Sequence, residues 1–449
     1  MKETTEISPL SVPAESVFDS REYKRSRKSY TMECMFEYFI ANLVSGQFLT
    51  ILLKHLGVPD SLNGIIQSII SLAFLFQFFS VFILHRINNT KRTVIIFHTT
   101  SQLFFVLLFC IPFFPISADV KHIMALICPL VAYFGNYFVT SIIYRWGNSF
   151  VEPHHRGRFG AVKEIISLIT AIILVLVMGY AVDLFEANGN IEGAFILLAF
   201  SILLFCLSDF VCLLLIKNDK KTREEREKTA SNLPMGEIMK NTMGNKYFRS
   251  TVILATLWKA AVYTTVGFMG TYMDNVDELN FSVGTVQVVM LVGMFFRTVI
   301  AGPVGRYSDK HSYAKGIRVG LFLGMAGYLI NVFTAPGGFT RYLIIPFYIC
   351  YMGSLAATDS NMLNLPYNYV DAKYFIHASA IKNSISGIGG FAASLLAGAL
   401  LSYIQNNGNS IFGIHVYGQQ VLSLISFLLL VIATFYSILV VEKQKRIVQ

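Results

Sequence analysis

The chain has 449 residues, of which 54% are apolar and only 14% charged, with a mean hydropathy of +0.56, and a soluble fold has no means of hiding that much apolar surface. The formal charge of +9 calls for no nucleic-acid partner, because the basic residues gather beside the ends of apolar segments. The six cysteines show no disulfide or zinc spacing and all fall within apolar segments, where they serve as small core side chains, so no metal and no cofactor is expected.

Residues 1–29 form a polar tail with no apolar core of a signal peptide, so the first span directs insertion. Twelve apolar stretches follow, most of them near the ~20 residues that carry a helix across ~30 Å of hydrocarbon. The first six run Tyr30 to Leu53, Leu62 to His85, Thr93 to Ile116, His122 to Arg145, Phe159 to Val182 and Ile191 to Ile216, within a unit spanning 30–216. Residues 217–247 are a mixed-charge linker in which a short surface helix is expected after Pro234. The second unit, 248–441, holds Thr251 to Met273, Phe281 to Val304, Gly316 to Thr334, Tyr342 to Leu363, Ala378 to Ile404 and Val421 to Val441, and a basic tail, 442–449, closes the chain. The expected fold is an all-α integral membrane protein of twelve transmembrane helices.

Charge placement tests that count. One set of loops and tails carries Arg21, Lys24, Arg25, Arg27, Lys28, Arg86, Lys91, Arg92, Arg156, Arg158, Arg306, Lys310, Lys315, Lys373, Lys443, Lys445 and Arg446. The alternate set has little beyond Lys54, Lys121 and Arg341, and holds acids such as Asp183, Glu186, Asp274 and Glu278. Lys and Arg are retained on the cytoplasmic side, so both termini and the linker are placed there.

The two units are copies. Ala161-Val-Lys-Glu-Ile-Ile-Ser-Leu-Ile169 returns without a gap as Ala380-Ile-Lys-Asn-Ser-Ile-Ser-Gly-Ile388, each at the start of a long apolar stretch. Small residues crowd the eleventh stretch at four-residue spacing (Gly389 and Ala393, Gly390 and Ser394, Ser394 and Gly398), which predicts close packing against the other half.

Between stretches eight and nine, Gly305-Arg-Tyr-Ser-Asp309-Lys310-His-Ser-Tyr-Ala-Lys315 resembles the signature loop of the major facilitator superfamily. The equivalent loop after stretch two keeps Arg86, Lys91 and Arg92 but lacks the Gly and the Asp, a departure from the family pattern. Trp146 to Arg158 resembles the junction between spans four and five in many bacterial members, although His154 and His155 read as a solvated loop. The resemblance implies two pseudo-symmetric six-helix bundles and a cavity lined by spans 1, 4, 7 and 10. It also implies a conformational latch at Gly305, Asp309 and Lys310, with Arg297 as partner or substrate ligand.

Charged groups inside spans are costly and mark function. Glu33 and Glu37 lie four apart on one helix face, where two carboxylates resist joint ionisation and one can hold a proton; Glu33 in interfacial water and Glu37 paired with Arg145 is the alternative. Glu164 stands where its copy has Asn383 and either neutralises Arg145 or Lys163 or acts as a titrating group, whereas Lys163 and Lys382 are expected to snorkel to the interface. Lys259 lies near mid-membrane and needs an anion, either an acidic solute or Asp359. The candidates for proton coupling are therefore Glu37, Glu164 and Asp359, and those for substrate or gate contacts are Glu33, Asn42, Arg145, Lys259, Tyr263, Arg297 and Asn361.

These features favour a monomeric secondary transporter of the inner or plasma membrane that moves a small polar organic solute by alternating access, coupled to protons or another ion. A lipid or amphiphile flippase, or a drug exporter, on the same scaffold is the alternative. An integral-membrane enzyme is remote, since no clustered nucleophile, base or nucleotide motif is visible.

Overall fold

A computed structural model describes residues 20–83, 89–152, 156–217, 234–371, 374–411 and 413–444. The loop around His85 and Arg86, His154 and His155, most of the linker, Lys373, and Lys445 and Arg446 lie outside these residues. The chain is mostly helical, with one two-stranded ribbon, β1 (Ser410–Ile411) paired antiparallel to β2 (Ile414–His415).

The first stretch breaks in two. Helix α1 (Arg21–Leu43) and α2 (Gly46–His55) meet at an angle of 43°. Gly46 takes φ +58° at the break, a conformation that costs glycine little. The backbone groups freed there are met by Gln67, whose amide accepts from Gly46 N at 3.0 Å and donates to Gly46 O at 3.0 Å. Such side-chain rescue is what a broken span requires in hydrocarbon. The second stretch likewise divides into α3 (Asp60–Gln67) and α4 (Ile69–Ile83). Then come α5 (Thr90–Cys110), α6 (Ala118–Asn148), α7 (Arg156–Ala187) and α8 (Ile191–Leu215).

After the linker, Pro234 opens the short α9 (Met235–Asn241), the surface helix expected there. Next are α10 (Lys246–Thr265), a 3₁₀ turn at Val266–Phe268, α11 (Met269–Asp274) and α12 (Val283–Lys310). The chain finishes with α13 (Tyr313–Val332), α14 (Ile344–Asn364), α15 (Phe375–Asn406) and α16 (Gly418–Tyr436).

Among the described residues nine helices are long and apolar enough to cross a membrane, or ten if α1 and α2 count as one bent span. Helices α13 and α14 cover the ninth and tenth expected stretches without reaching that apolar content. They face each other rather than hydrocarbon: a Cβ on Gly320 would lie 2.2 Å from Thr358 Oγ1, and one on Gly327 would lie 3.0 Å from Cys350 Cβ. Glycine and small polar residues are needed at such a contact, and they lower the mean hydropathy.

The buried apolar residues divide by sequence. One cluster is drawn from residues 238–441, a second from 40–206 together with Val283, and a third from 23–216. Outward faces are apolar as well: Ile169, Ile173 and Val177 on α7, and Ile196, Phe200, Leu204 and Leu207 on α8, stand exposed in helical stripes. A soluble protein does not present such stripes to water.

Candidate functional site

The sequence halves meet along two helix seams, and α3 also lies against the 3₁₀ turn at Val266–Phe268. Helix α15 lies against α3 and α4, and α12 lies against α7. In the first seam a Cβ on Gly387 would fall 2.3 Å from Ser71 O, and one on Gly398 would fall 2.8 Å from Ile65 Cδ1. Ser71 Oγ donates to Gly387 O at 3.0 Å and Ser384 Oγ donates to Phe74 O at 3.0 Å. The small-residue face of the eleventh stretch thus packs on the other half, as its spacing predicts.

At the end holding residues 55–60, 274–283 and 406–418, here the acidic end, polar bonds cross between the halves. Lys54 pairs with Asp274 at 2.5 Å, and Gln47 donates to Asp274 Oδ1 at 2.9 Å. Gln405 donates to Asp60 at 3.1 Å. Asp183 receives Gly284 N at 2.9 and 3.0 Å from its two oxygens, so it caps the N-terminus of α12, where a carboxylate complements the helix dipole. Glu278 is buried at this end beside Gln419, and its burial together with the Asp60 charge pushes its carboxyl up to about 8. A cavity of about 20 Å³ lies just inside, lined by Asn42, Gly46, Gln47, Gln287 and Met290 among others. Asn42 donates its amide to Tyr38 O at 2.7 Å.

The expected charges sit deeper. Lys259 is half-buried on α10, its ammonium 4.6 Å from the ring centre of Phe74 and 5.5 Å from that of Tyr263, so that its charge rests on two aromatic faces. It does not pair with Asp359. That carboxylate instead faces Arg297 at 3.8 Å, both side chains being nearly half exposed. Arg297 is thereby placed with Asp359 and not with Asp309. Glu37 is half-buried on α1 and Glu164 is exposed on α7, and neither makes an ion pair or hydrogen bond among the described residues. The side chain of Arg145 lies outside the described residues, and its pairing with Glu37 with it.

Other expectations are corrected. Asn361 is buried on α14, donates to Ala357 O at 2.6 Å and lies against Gly316 of α13. The segment from Gly305 to Lys310 is the last turns of α12 and not a loop. Asp309 and Lys310 are exposed there, Gly305 is half-buried, and none forms an ion pair among the described residues. Lys382 does not snorkel: it is 3% exposed and donates to Met362 O at 2.6 Å. Lys163 reaches Cys34 Sγ at 3.2 Å and Tyr30 OH at 3.4 Å.

Glu33 departs furthest from expectation. It is fully buried rather than in interfacial water, and its carboxylate enters a cluster with His98 of α5 and Asp209 of α8. Sequence reasoning passed over His98, Gln102 and Asp209. The signal was present in three ionisable or polar side chains inside apolar stretches three and six, with His98 and Gln102 one turn apart on one face.

The comparisons with known proteins agree with this architecture. Residues 34–394 match the model of the Major Facilitator Superfamily. No protein of curated function matches the sequence. Among solved structures, the nucleoside transporter NupG superposes with a TM-score of 0.67 at 12% identity, covering 95% of this chain and 100% of that one. A bacterial homolog of the human lysosomal transporter Spinster gives 0.64 at 13% identity over 95% of this chain and 97% of that one. The E. coli fucose:proton symporter FucP gives 0.57 at 13% identity over 95% and 100%.

Proposed function

The chain belongs to the Major Facilitator Superfamily, and we propose that it is a secondary transporter carrying a small polar organic solute by alternating access between two six-helix halves, with protons as the coupling ion. The observation that carries this reading is the asymmetry of charge around the seam. Polar bonds tie the halves together at the acidic end, while Lys259, Arg297, Asp359, Glu37 and Glu164 remain partly accessible in helices otherwise built for hydrocarbon. Charges persist at such depth only where water or a polar ligand reaches them.

In this proposal twelve helices span the inner or plasma membrane, residues 30–216 and 248–441 form the two bundles, and both termini face the cytoplasm. The acidic end is then the outer gate, closed, and the solute enters or leaves from the cytoplasmic side. Lys259, held over Phe74 and Tyr263, presents a positive charge between aromatic faces to a polar solute, with Asn42 beyond it near the break at Gly46. Asp359 exchanges Arg297 for a proton, and Glu37 and Glu164 are the other titrating groups. That solved relatives of the same fold are named for nucleoside and fucose transport supports a polar organic cargo.

Purified protein in liposomes tests the reading against a panel of nucleosides, sugars, amino acids and peptides under imposed proton or sodium gradients. Uptake of one class under an inward proton gradient, lost in Glu37→Gln or Asp359→Asn with exchange retained, is the expected result. Absence of uptake of every solute under either gradient, or full gradient-driven uptake in both variants, would overturn it.

A further inference from the structure

We propose that Glu33, His98 and Asp209, completed by the side-chain amide of Gln102, form a binding site for one divalent transition-metal cation inside the first half of the protein. The donors come from three packed helices, Glu33 from α1, His98 and Gln102 from α5 and Asp209 from α8, and each is at most 2% exposed. Glu33, His98 and Asp209 each offer a ligand atom, and these atoms all lie within 4.8 Å of one another.

Hydrogen bonding alone leaves the cluster in conflict when its carboxylates are ionised. His98 Nε2 lies 2.9 Å from Asp209 Oδ2, and the amide nitrogen of Gln102 lies 2.9 Å from the same imidazole nitrogen and 2.8 Å from the same carboxylate oxygen. This is a triangle of three polar atoms at bonding distance. If His98 Nε2 carries its proton toward Asp209, it meets the amide as donor against donor. If it does not, its lone pair faces the carboxylate. Turning the amide only moves the conflict, since its oxygen then faces Asp209 Oδ2. With Asp209 ionised, one side stays repulsive for either tautomer of His98 and either orientation of the amide. Around this triangle Glu33 Oε1, Asp209 Oδ1, Gln102 Oε1 and His98 Nδ1 are buried without a partner. Orphaned polar atoms in such number are expensive in an apolar interior.

A cation resolves the conflict. With the amide turned, Gln102 Oε1, Asp209 Oδ2 and His98 Nε2 all present lone pairs to one point, and Glu33 Oε1, 3.8 Å from His98 Nε2, closes the fourth side. The separations among His98, Asp209 and Gln102, 2.8 to 2.9 Å, and that of Glu33 from His98, 3.8 Å, fall on either side of the edge of about 3.3 Å expected for a tetrahedron with bonds of about 2.0–2.1 Å. The second oxygen of Glu33 is already engaged by Cys34 Sγ at 3.2 Å, which leaves Oε1 for the ion. Charge closes as well, because two carboxylates and a neutral imidazole balance a divalent ion to zero where an unbalanced charge is costly. One imidazole with oxygen donors selects zinc, manganese, iron or cobalt over magnesium or copper(I).

The test uses full-length, tag-free protein in detergent, independently of any transport assay. Metal content is measured as purified, and then, after chelation and dialysis, Co²⁺ alone is titrated while its visible d–d bands are followed; Zn²⁺ and Mn²⁺ are titrated against thermal stability. About one cation per chain is expected, with cobalt bands of tetrahedral intensity and a raised thermal midpoint. His98→Ala and Asp209→Asn are expected to abolish the bands. The isosteric Glu33→Gln, checked for native elution and helical content, is expected to keep the fold and weaken binding by at least about tenfold. Wild-type protein that gains neither bands nor stability, or metal binding left unchanged in Glu33→Gln and His98→Ala, would overturn the proposal.

Discussion

At the acidic end, Asp60, Asp183 and Asp274 each bond to a residue from the other half of the sequence, whereas toward the opposite end the seam is crossed by Asn383 donating to Gln77 at 3.1 Å, and the ion pairs Lys217 with Glu22 and Arg318 with Glu442 do not cross it. The first kind must break for the halves to separate there, and the second kind survives such a motion. A bond within a half adds rigidity, and a bond across the halves sets the balance between conformations. In the proposed transport cycle this difference makes Asp60, Asp183 and Asp274 the outer gate, although in the sequence Asp183 and Asp274 serve only as markers of sidedness.

Four experiments break or sharpen this contrast. Gly387→Leu is expected to act most strongly, because a Cβ there would meet Ser71 O at 2.3 Å; transport activity should fall to background, with protein recovery and elution profile showing whether the halves still assemble. Lys259→Met should come next. Removing the charge held over Phe74 and Tyr263 is expected to weaken solute binding about tenfold, some 1.4 kcal/mol, read by thermal stabilisation or uptake.

Asp274→Asn removes an ion pair that water partly screens, so roughly 1 kcal/mol and about a fivefold shift toward opening at the acidic end are expected. Labelling of a cysteine introduced at Gln47 should speed up accordingly, and a rate equal to that without the Asp274 change would remove Asp274 from the gate. The smallest effect concerns pH. Glu278 holds its proton up to about 8 in the folded protein, above the ordinary value of 4.5, so between those values the unfolded chain binds fewer protons than the folded one. Stability from this group is full below 4.5 and is lost as pH rises through about 8. Thermal midpoints should therefore decline across that window, and Glu278→Gln should flatten the decline.

Much of the fold was legible in residue pattern, because membrane helices must satisfy their own backbone and so announce themselves by length and apolarity. Glu37, Lys259, Arg297 and Asp359 were found in the same way, as charges where charge is costly. What escaped was direction around the helix axis. Glu33 and Glu37 lie four apart on one helix face, yet packing against α5 and α8 encloses the first and leaves the second half-buried. His98 and Asp209 lie in helices far apart in sequence, so no spacing rule connects them.

By itself the sequence determined helicity, membrane character, the internal copy and the close packing of α15, because each follows from local periodicity or from side-chain size. Only the tertiary structure decided the partners: Asp359 with Arg297 and not Lys259, Asn361 turned against Gly316, Lys382 buried on Met362 O, and Asp274 joined to Lys54. Long polar side chains reach several neighbours, and which one they meet depends on how helices distant in sequence rotate and approach, a quantity that no local pattern encodes.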